Sequence, residues 1–512
     1  VPVRSSKLRL LAAGTLLALA GLTSCSASSS LPEVEGSSAT QNAGNTDAPQ
    51  GLENYYSQQV NWEKCGDVLE CATIKVPLDY AKPSGDSIDL ALNRRVAEGA
   101  SRNLLVNPGG PGGSGLDMVE SSVQTMFSSD LQKAYNIIGF DPRGVGESTP
   151  VTCQSDAETD EGRQENLRAW LPEDQDQIIE ETEDYAEDCA RNTGDLLGHV
   201  DTVSAAKDMD VIRAVLGDKQ LDYLGFSYGT FLGATYADLF PQKVERFVLD
   251  GAMDPKSQAS DLTKAQAVGF EQEIEAWLGQ CLESDGCPFS GTVESAKVQL
   301  QQFFAQVENE PMVSSDGRTV PIIDFVNGFI LPLYDNSNWP YLTQAMASAV
   351  NDRNVDTILG FADLAADRQS DGTYDSNSSD AFTAINCLDR PMNADAETMN
   401  KEAIELMRVA PTLGKYLAYG EIACDVWDHQ STGKAGALTA KGSNEILVVG
   451  TTSDPATPYQ WSQSLAEQLD NATLLTYQGH GHTAYGRSND CITEAVDGYL
   501  IDGKAPEPDT QC

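Results

Sequence analysis

The stretch Leu221–Pro241, LDYLGFSYGTFLGATYADLFP, sets a serine between two glycines at the end of an apolar run. Leu221–Phe226 reads as a short buried strand and Thr230–Leu239 as a helix, so Ser227 falls on the turn between them. So sharp a turn brings backbone segments together, and a Cβ at Gly225 or Gly229 would collide with its neighbours. The pattern Gly-x-Ser-x-Gly decides little alone: with 43 glycines in 512 residues it arises by chance about 0.3 times in such a chain. The strand before it and the helix after it make Ser227 a candidate nucleophile rather than a small residue in a tight turn.

Outward from this turn, further apolar runs read as strands: Ala72–Val76, Ile88–Val96, Asn103–Val106, Tyr135–Phe140, Glu245–Leu249, Glu445–Val449 and Thr473–Tyr477. Between them lie helical patterns. Val203–Leu216 carries Val203, Ala206, Met209, Ile212, Val215 and Leu216 as one stripe at three-to-four spacing. Strands alternating with helices imply an α/β fold, an eight-stranded, mostly parallel sheet covered on both faces. Residues 255–440 change to long helical segments such as Lys264–Cys281 and Ala296–Val307, which predicts a helical lid inserted into the strand-rich frame. The expected division is a signal peptide over 1–24, a flexible tether over 25–58, the first part of the core over 59–254, the lid over 255–440, and the rest of the core over 441–512.

Charge and cysteines narrow the setting. With 33 Lys and Arg against 77 Asp and Glu, the net charge of -44 repels phosphate backbones and argues against a nucleic-acid partner. Arg4, Lys7 and Arg9 precede an apolar run from Leu10 to Leu22, the layout of a secretory signal and too short to span a bilayer. Leu22-Thr23-Ser24-Cys25 has the form of a bacterial lipobox, in which Cys25 carries a lipid, and a Ser/Ala/Gly/Asn-rich tether follows. The rival is a plain secretory signal with an incidental cysteine. Setting Cys25 aside, ten cysteines remain, an even number suited to an oxidising space. Disulfides are expected between nearest neighbours along the chain, which keeps every loop local. No C-x-x-C pair or finger-like His spacing supports a metal site.

A serine hydroxyl needs a base, and the chain has four histidines: His199, His429, His480 and His482. His199 precedes the nucleophile and His429 falls in the lid block, which leaves the pair in YQGHGHTAY, Tyr477–Tyr485, just past the last strand. The strand Glu445–Val449 runs into GTTSDPATP and supplies Asp454 as the orienting carboxylate. The order Ser227, Asp454, His482 is that of the α/β-hydrolase triad. NPGGPGGSG, Asn107–Gly115, follows the strand Asn103–Val106, and its glycines let backbone N–H groups approach a developing negative charge. Gly110 and Tyr228, the residue after the nucleophile, are the expected oxyanion donors. This chemistry needs no cofactor.

NPGGPGGSG, GFDPRGVGES at Gly139–Ser148, LDYLGFSYGTFLGATYADLFP, RFVLDGAMDP at Arg246–Pro255, GTTSDPATP and GHGHTAYG together resemble the secreted tripeptidyl aminopeptidases of actinobacteria, in the prolyl-aminopeptidase-related branch of the α/β-hydrolases. The resemblance runs from Trp62 to Cys512, dense at the motifs and thin in the lid. It implies a serine peptidase that removes short peptides from free N-termini. It favours His482 over His480 as the base, because His482 follows Gly and precedes Thr-Ala-Tyr. It also implies lid carboxylates that hold the substrate amine, with Asp389 in AINCLDRP as the candidate and an ordinary cap or salt-bridge acid as the alternative. Phe325, Phe329, Tyr334, Trp339 and Tyr341 either line a substrate pocket or form the lid core. The expectation is therefore an exported, lipid-anchored aminopeptidase acting on short peptides or unfolded N-termini at the cell envelope. A cell-envelope esterase with the same triad and a non-catalytic binding lipoprotein are the rivals.

Overall fold

A computed structural model describes residues 48–512; the signal, Cys25 and most of the tether read from the sequence lie outside them. The strands are β1 Glu63–Lys64, β2 Leu69–Pro77, β3 Ser87–Arg95, β4 Arg102–Asn107, β5 Tyr135–Phe140, β6 Leu221–Phe226, β7 Val244–Asp250, β8 Met312–Val313, β9 Thr319–Val320, β10 Ile446–Ser453 and β11 Ala472–His480. The main sheet has the order β1-β2-β3-β5-β4-β6-β7-β10-β11, and β8 and β9 form a separate hairpin. Strands β5, β4, β6, β7, β10 and β11 run parallel, while β1, β2 and β3 add antiparallel pairs at one edge. All eight expected strands are present. The ninth, β1, has two residues, too few to show a period in the sequence.

Side chains in the parallel strands alternate between two cores. Leu105, Tyr223, Phe247, Leu249 and Val448 face one core together with Met209, Ile212, Leu232 and Tyr236 from the helices Thr202–Val215 and Tyr228–Leu239. Leu104, Val106, Leu224, Val248 and Val449 face the other, with Leu131 from the helix Ser129–Ala134 and Ile492, Val496 and Leu500 from Asp490–Asp502. Burial on both faces is why these strands read as apolar runs rather than as an alternation. Each such Leu, Val or Phe contributes about 1.5–3 kcal/mol on leaving water.

Two expectations change at element ends. Val203 is exposed, not on the buried stripe, because Asp201 caps the helix from the preceding position and turns its first residues so that Thr202 and Ala205 point inward. The tether ends before residue 58: Leu52 and Tyr56 are buried, and the Tyr56 hydroxyl donates to Asp210 Oδ2 at 2.7 Å.

Between β7 and β10 lie the helices Ala259–Leu282, Val293–Asn309, Ile322–Ile330, Trp339–Asp352, Asp356–Ala365, Ser378–Asp389 and Ala396–Val409. Several pack around a core of their own that contains Phe270, Trp277, Phe304, Phe325 and Phe329. Disulfides join Cys65–Cys71, Cys153–Cys189, Cys281–Cys287, Cys387–Cys424 and Cys491–Cys512, the nearest-neighbour pattern. Among the described residues no helix is long and apolar enough to cross a membrane.

Candidate active site

The chain passes from β6 into the helix Tyr228–Leu239 through Ser227 at φ 55° and ψ -124°, a conformation that costs a non-glycine residue about 1–3 kcal/mol. Hydrogen bonds hold it there. Ser227 N–H donates to Asp250 O at 2.9 Å, and the Ser227 carbonyl accepts from Thr230 N at 2.9 Å and Thr230 Oγ1 at 2.6 Å. The flanking glycines are sterically required: a Cβ on Gly225 would lie 2.5 Å from Gly229 O, and one on Gly229 would lie 2.8 Å from Asn107 Oδ1.

Asp454 follows β10 and is buried. Its Oδ1 accepts from Ala456 N at 3.0 Å and Thr457 N at 2.8 Å, and its Oδ2 accepts from Thr483 N at 2.9 Å and Thr457 Oγ1 at 3.0 Å. The remaining contact is His482 Nδ1, 2.9 Å from Oδ1 and 3.1 Å from Oδ2. A proton on Nδ1 satisfies this geometry and leaves the Nε2 lone pair free to accept one. His482 N–H donates to Tyr334 O at 2.7 Å, and the two rings meet edge to face at 5.5 Å. The backbone at Asp250–Gly251 touches both halves of the site: Asp250 O takes the Ser227 N–H, and a Cβ on Gly251 would lie 3.4 Å from His482 Cε1.

The glycine-rich loop after β4 crosses over the turn. A Cβ on Gly109 would stand 2.9 Å from Ser227 Cβ and 3.1 Å from Tyr228 N. Gly109 N–H is taken by Asn107 Oδ1 at 3.0 Å, which leaves Gly110 N–H as the next donor along the loop. Tyr228 opens its helix, so its N–H has no intrahelical acceptor. The far end of the loop is tied down by Asp141, which accepts from Ser114 Oγ at 2.6 Å, Leu116 N at 3.2 Å and Glu147 N at 2.9 Å. Arg143, fully buried, pairs with Asp208 at 2.7 Å and donates to the carbonyls of Pro77, Leu78 and His199. Asp141 of the GFDPRGVGES motif therefore braces the loop, while Arg143 ties the motif to the helix Thr202–Val215 and to the end of β2.

Residues 410–512 match the family model described as TAP-like protein. The chain is 36% identical over 485 residues to the serine protease Hip1 of Mycobacterium tuberculosis, covering 89% of this chain and 91% of that protein. It is 31% identical over 472 residues to the tripeptidyl aminopeptidase of Streptomyces lividans, covering 88% and 86%. The chain belongs to the tripeptidyl aminopeptidase family. It is a serine peptidase of the α/β-hydrolase type. A third relative, 35% identical over 476 residues with 89% and 90% covered, is the carboxylesterase B of Mycobacterium tuberculosis.

Within this family's frame, two sequence candidates fall elsewhere. His480 turns toward the helical block between β7 and β10: its Nδ1 lies 2.9 Å from Glu273 Oε1 and its ring packs on Trp339 at 5.3 Å. That hydrogen bond pushes the His480 pKa up, and burial pushes the Glu273 carboxyl up. Asp389, expected to hold the substrate amine, does not face the site. Its Oδ1 accepts from Thr202 N at 2.8 Å and its Oδ2 from Thr202 Oγ1 at 2.5 Å, with the side chain buried. Both oxygens are engaged behind the turn, so the geometry does not offer this carboxylate to a substrate ammonium. Of the aromatics, Phe325, Phe329 and Trp339 belong to the core of the helical block, Tyr334 stands against His482, and Tyr341 is exposed.

The sequence reading missed three residues at the site. Thr457 Oγ1 bridges Asp454 and His482 Nδ1, the latter at 3.2 Å. Asp250, whose carboxyl is raised to about 6 by burial, accepts from Ala484 N and Tyr485 N and so fixes the loop that carries His482. The signal for Asp250 was present in RFVLDGAMDP at a strand end; Thr457 had only its place three residues after Asp454. Glu273 lies on the helix Ala259–Leu282 with its Oε2 buried and without a hydrogen-bond partner among the described residues, and nothing in the lid sequence marks it.

Proposed function

We propose that the protein is an exported aminopeptidase that releases short peptides from free N-termini through an acyl-enzyme. Ser227 Oγ attacks the scissile carbonyl while His482 Nε2 takes its proton, and Asp454 holds the imidazole in the required tautomer. The N–H groups of Tyr228 and Gly110 stabilise the oxyanion. His482 then returns the proton to the leaving amine, and water releases the peptide by the same steps. The observation that supports this reading most is the contact of 2.9 Å between His482 Nδ1 and Asp454, set beside a serine on a strained strand-to-helix turn.

An aminopeptidase must hold an ammonium at a fixed distance from Ser227. Glu273, a buried lid carboxylate in contact with the loop that carries His482, is our choice for that anchor. Profiling free-amine tripeptide amides against their N-acetyl forms and a short-chain ester panel tests the reading. A lost charge-assisted hydrogen bond is worth about 1.5–3 kcal/mol, so acetylation should lower kcat/KM by about tenfold to a hundredfold, and Glu273→Gln should narrow the gap. The carboxylesterase relative keeps a second reading open. Faster turnover of acyl esters than of any peptide, or equal rates on both amide forms, would transfer the assignment to an envelope esterase.

Export and anchoring through Cys25 complete the proposal, supported by the basic, apolar and small-residue order of residues 1–30. Mass spectrometry of the mature N-terminus should find a lipidated Cys25. An unmodified terminus downstream of it would remove the anchor.

A further inference from the structure

Asp389 is buried with both oxygens taken up by Thr202, and these surroundings supply another role. It ends the lid helix Ser378–Asp389, and both its oxygens accept from Thr202, the first residue of the core helix Thr202–Val215. Thr202 Oγ1 is also hydrogen-bonded to the Tyr228 hydroxyl. Because Thr202 gives its one hydroxyl proton to Asp389, the tyrosine donates to Thr202, and the chain runs Tyr228 to Thr202 to Asp389. All three side chains are buried.

The other end of the same lid helix meets the glycine-rich loop. A Cβ on Gly112 would lie 2.5 Å from Ser378 O and 3.2 Å from Phe382 N, so the loop backbone rests directly on the helix. This helix is fixed to the core at its start, where Asn377 donates to Gly144 O and Val151 O at 2.8 Å and accepts from Gly146 N at 2.9 Å. The disulfide Cys387–Cys424 holds its last turn. One helix thus touches both segments that carry the oxyanion N–H groups: the glycine loop at one end and, through two side chains, Tyr228 at the other.

We infer that Asp389 is a positioning residue for the oxyanion site: through Thr202 it fixes the ring of Tyr228, and with it the peptide N–H that follows the nucleophile. Tyr228 needs such a restraint. It follows a residue in a strained conformation, and its N–H direction is set by the torsions of that same peptide. The carboxylate must be charged for the chain to run this way, which burial confines to pH above about 7, so the assays below are run at about pH 8. As a neutral acid it would donate to Thr202, Thr202 would donate to Tyr228, and the tyrosine would lose its acceptor. The charged groups around Asp389 are Asp201, which caps the helix at Thr202, and Arg390, whose guanidinium lies 5.0 Å over the ring of Phe231.

This inference rests on the proposed roles of Ser227 and the Tyr228 N–H, and its test separates the two claims. Thr202→Val, Tyr228→Phe and Asp389→Asn are assayed on a free-amine tripeptide amide, and for binding of a peptidyl trifluoromethyl ketone, which forms a tetrahedral adduct with an active-site serine. Each should lower kcat by about tenfold to a hundredfold with KM within about twofold, and the ketone should bind more weakly by a similar factor. Thr202→Ser, which keeps the hydroxyl, should recover most of kcat. Wild-type kcat in both Thr202→Val and Tyr228→Phe, or a loss expressed only in KM, would overturn the positioning role. Tyr228→Phe leaves the Thr202–Asp389 pair intact and carries the test should another variant fail to fold. Ser227→Ala, run alongside, addresses the other claim: retained activity would sink the nucleophile assignment, whereas an inactive Ser227→Ala beside a fully active Thr202→Val would sink only the positioning role.

Discussion

Replacing Asp389 with Asn should make the protein more stable relative to wild type as pH rises, although the residue sits in a hydrogen-bonded network. Burial pushes the Asp389 carboxyl up to about 7 from the ordinary 3.8, against the opposing pull of two hydrogen bonds from Thr202. Desolvation therefore outweighs the bonds. The folded protein holds a proton on Asp389 between about pH 4 and about pH 7 that the unfolded chain has already lost, so this group stabilises the fold fully below its unfolded pKa and loses that contribution as pH rises through the folded value. A tenfold change in proton affinity is worth about 1.4 kcal/mol, so the step from 3.8 to about 7 amounts to roughly 4 kcal/mol. Asn mimics the neutral acid and does not titrate. Denaturant unfolding of both proteins from about pH 4 to about pH 8 should show Asp389→Asn gaining on wild type by up to this amount, with no further change above about pH 7.5. A constant difference, or one that moves the other way, would mean that the Thr202 bonds win and that the carboxylate rests comfortably ionised. The same variant is expected to lose kcat, so stability and turnover should move in opposite directions.

The remaining expectations are simpler. His482→Ala should lose activity by several orders of magnitude while His480→Ala loses far less, since only the former contacts Asp454; steady-state kinetics on one substrate decides, and the reverse ranking would misassign the base. Replacing both Cys387 and Cys424 with Ser opens a cross-link between residues 37 apart and should cost roughly 4 kcal/mol by the chain-entropy estimate, read as a lower denaturant midpoint.

What the sequence made legible follows from the range of the interactions involved. The strands that build the parallel sheet are buried on both faces, so each announces itself as a local apolar run, and β6 with its following helix could be read directly. The disulfides were legible because they close short paths, the longest spanning 37 residues. Asp454 and His482 could be placed because each follows a strand, and strand order brings those ends together. Asp389 could not. Its partner Thr202 is 187 residues away, and no local pattern distinguishes a carboxylate that will face a substrate from one that will be buried against a distant helix start. The pairing of Glu273 with His480, 207 residues apart, was hidden for the same reason.

Those two long-range contacts also show why the helical block is more than a cover. The helix Ala259–Leu282 bonds to His480 through Glu273, and its Gly269 lies so close to Pro455 that a Cβ would stand 2.6 Å from the Pro455 carbonyl. The segment at Tyr334 accepts the His482 N–H. These contacts grip the half of the site that holds Asp454 and His482. The helix Ser378–Asp389 grips the other half, the turn at Ser227 and the glycine loop, through Asp389 and the backbone at Ser378. Asp454 and His482 are thus held by strand ends, the helix Ala259–Leu282 and the Tyr334 segment, and Ser227 with the glycine loop by strand ends and the helix Ser378–Asp389. Substitutions in the block that never meet the substrate should then appear in kcat as well as in KM, because they move the groups that stabilise the transition state and not only the walls of the pocket.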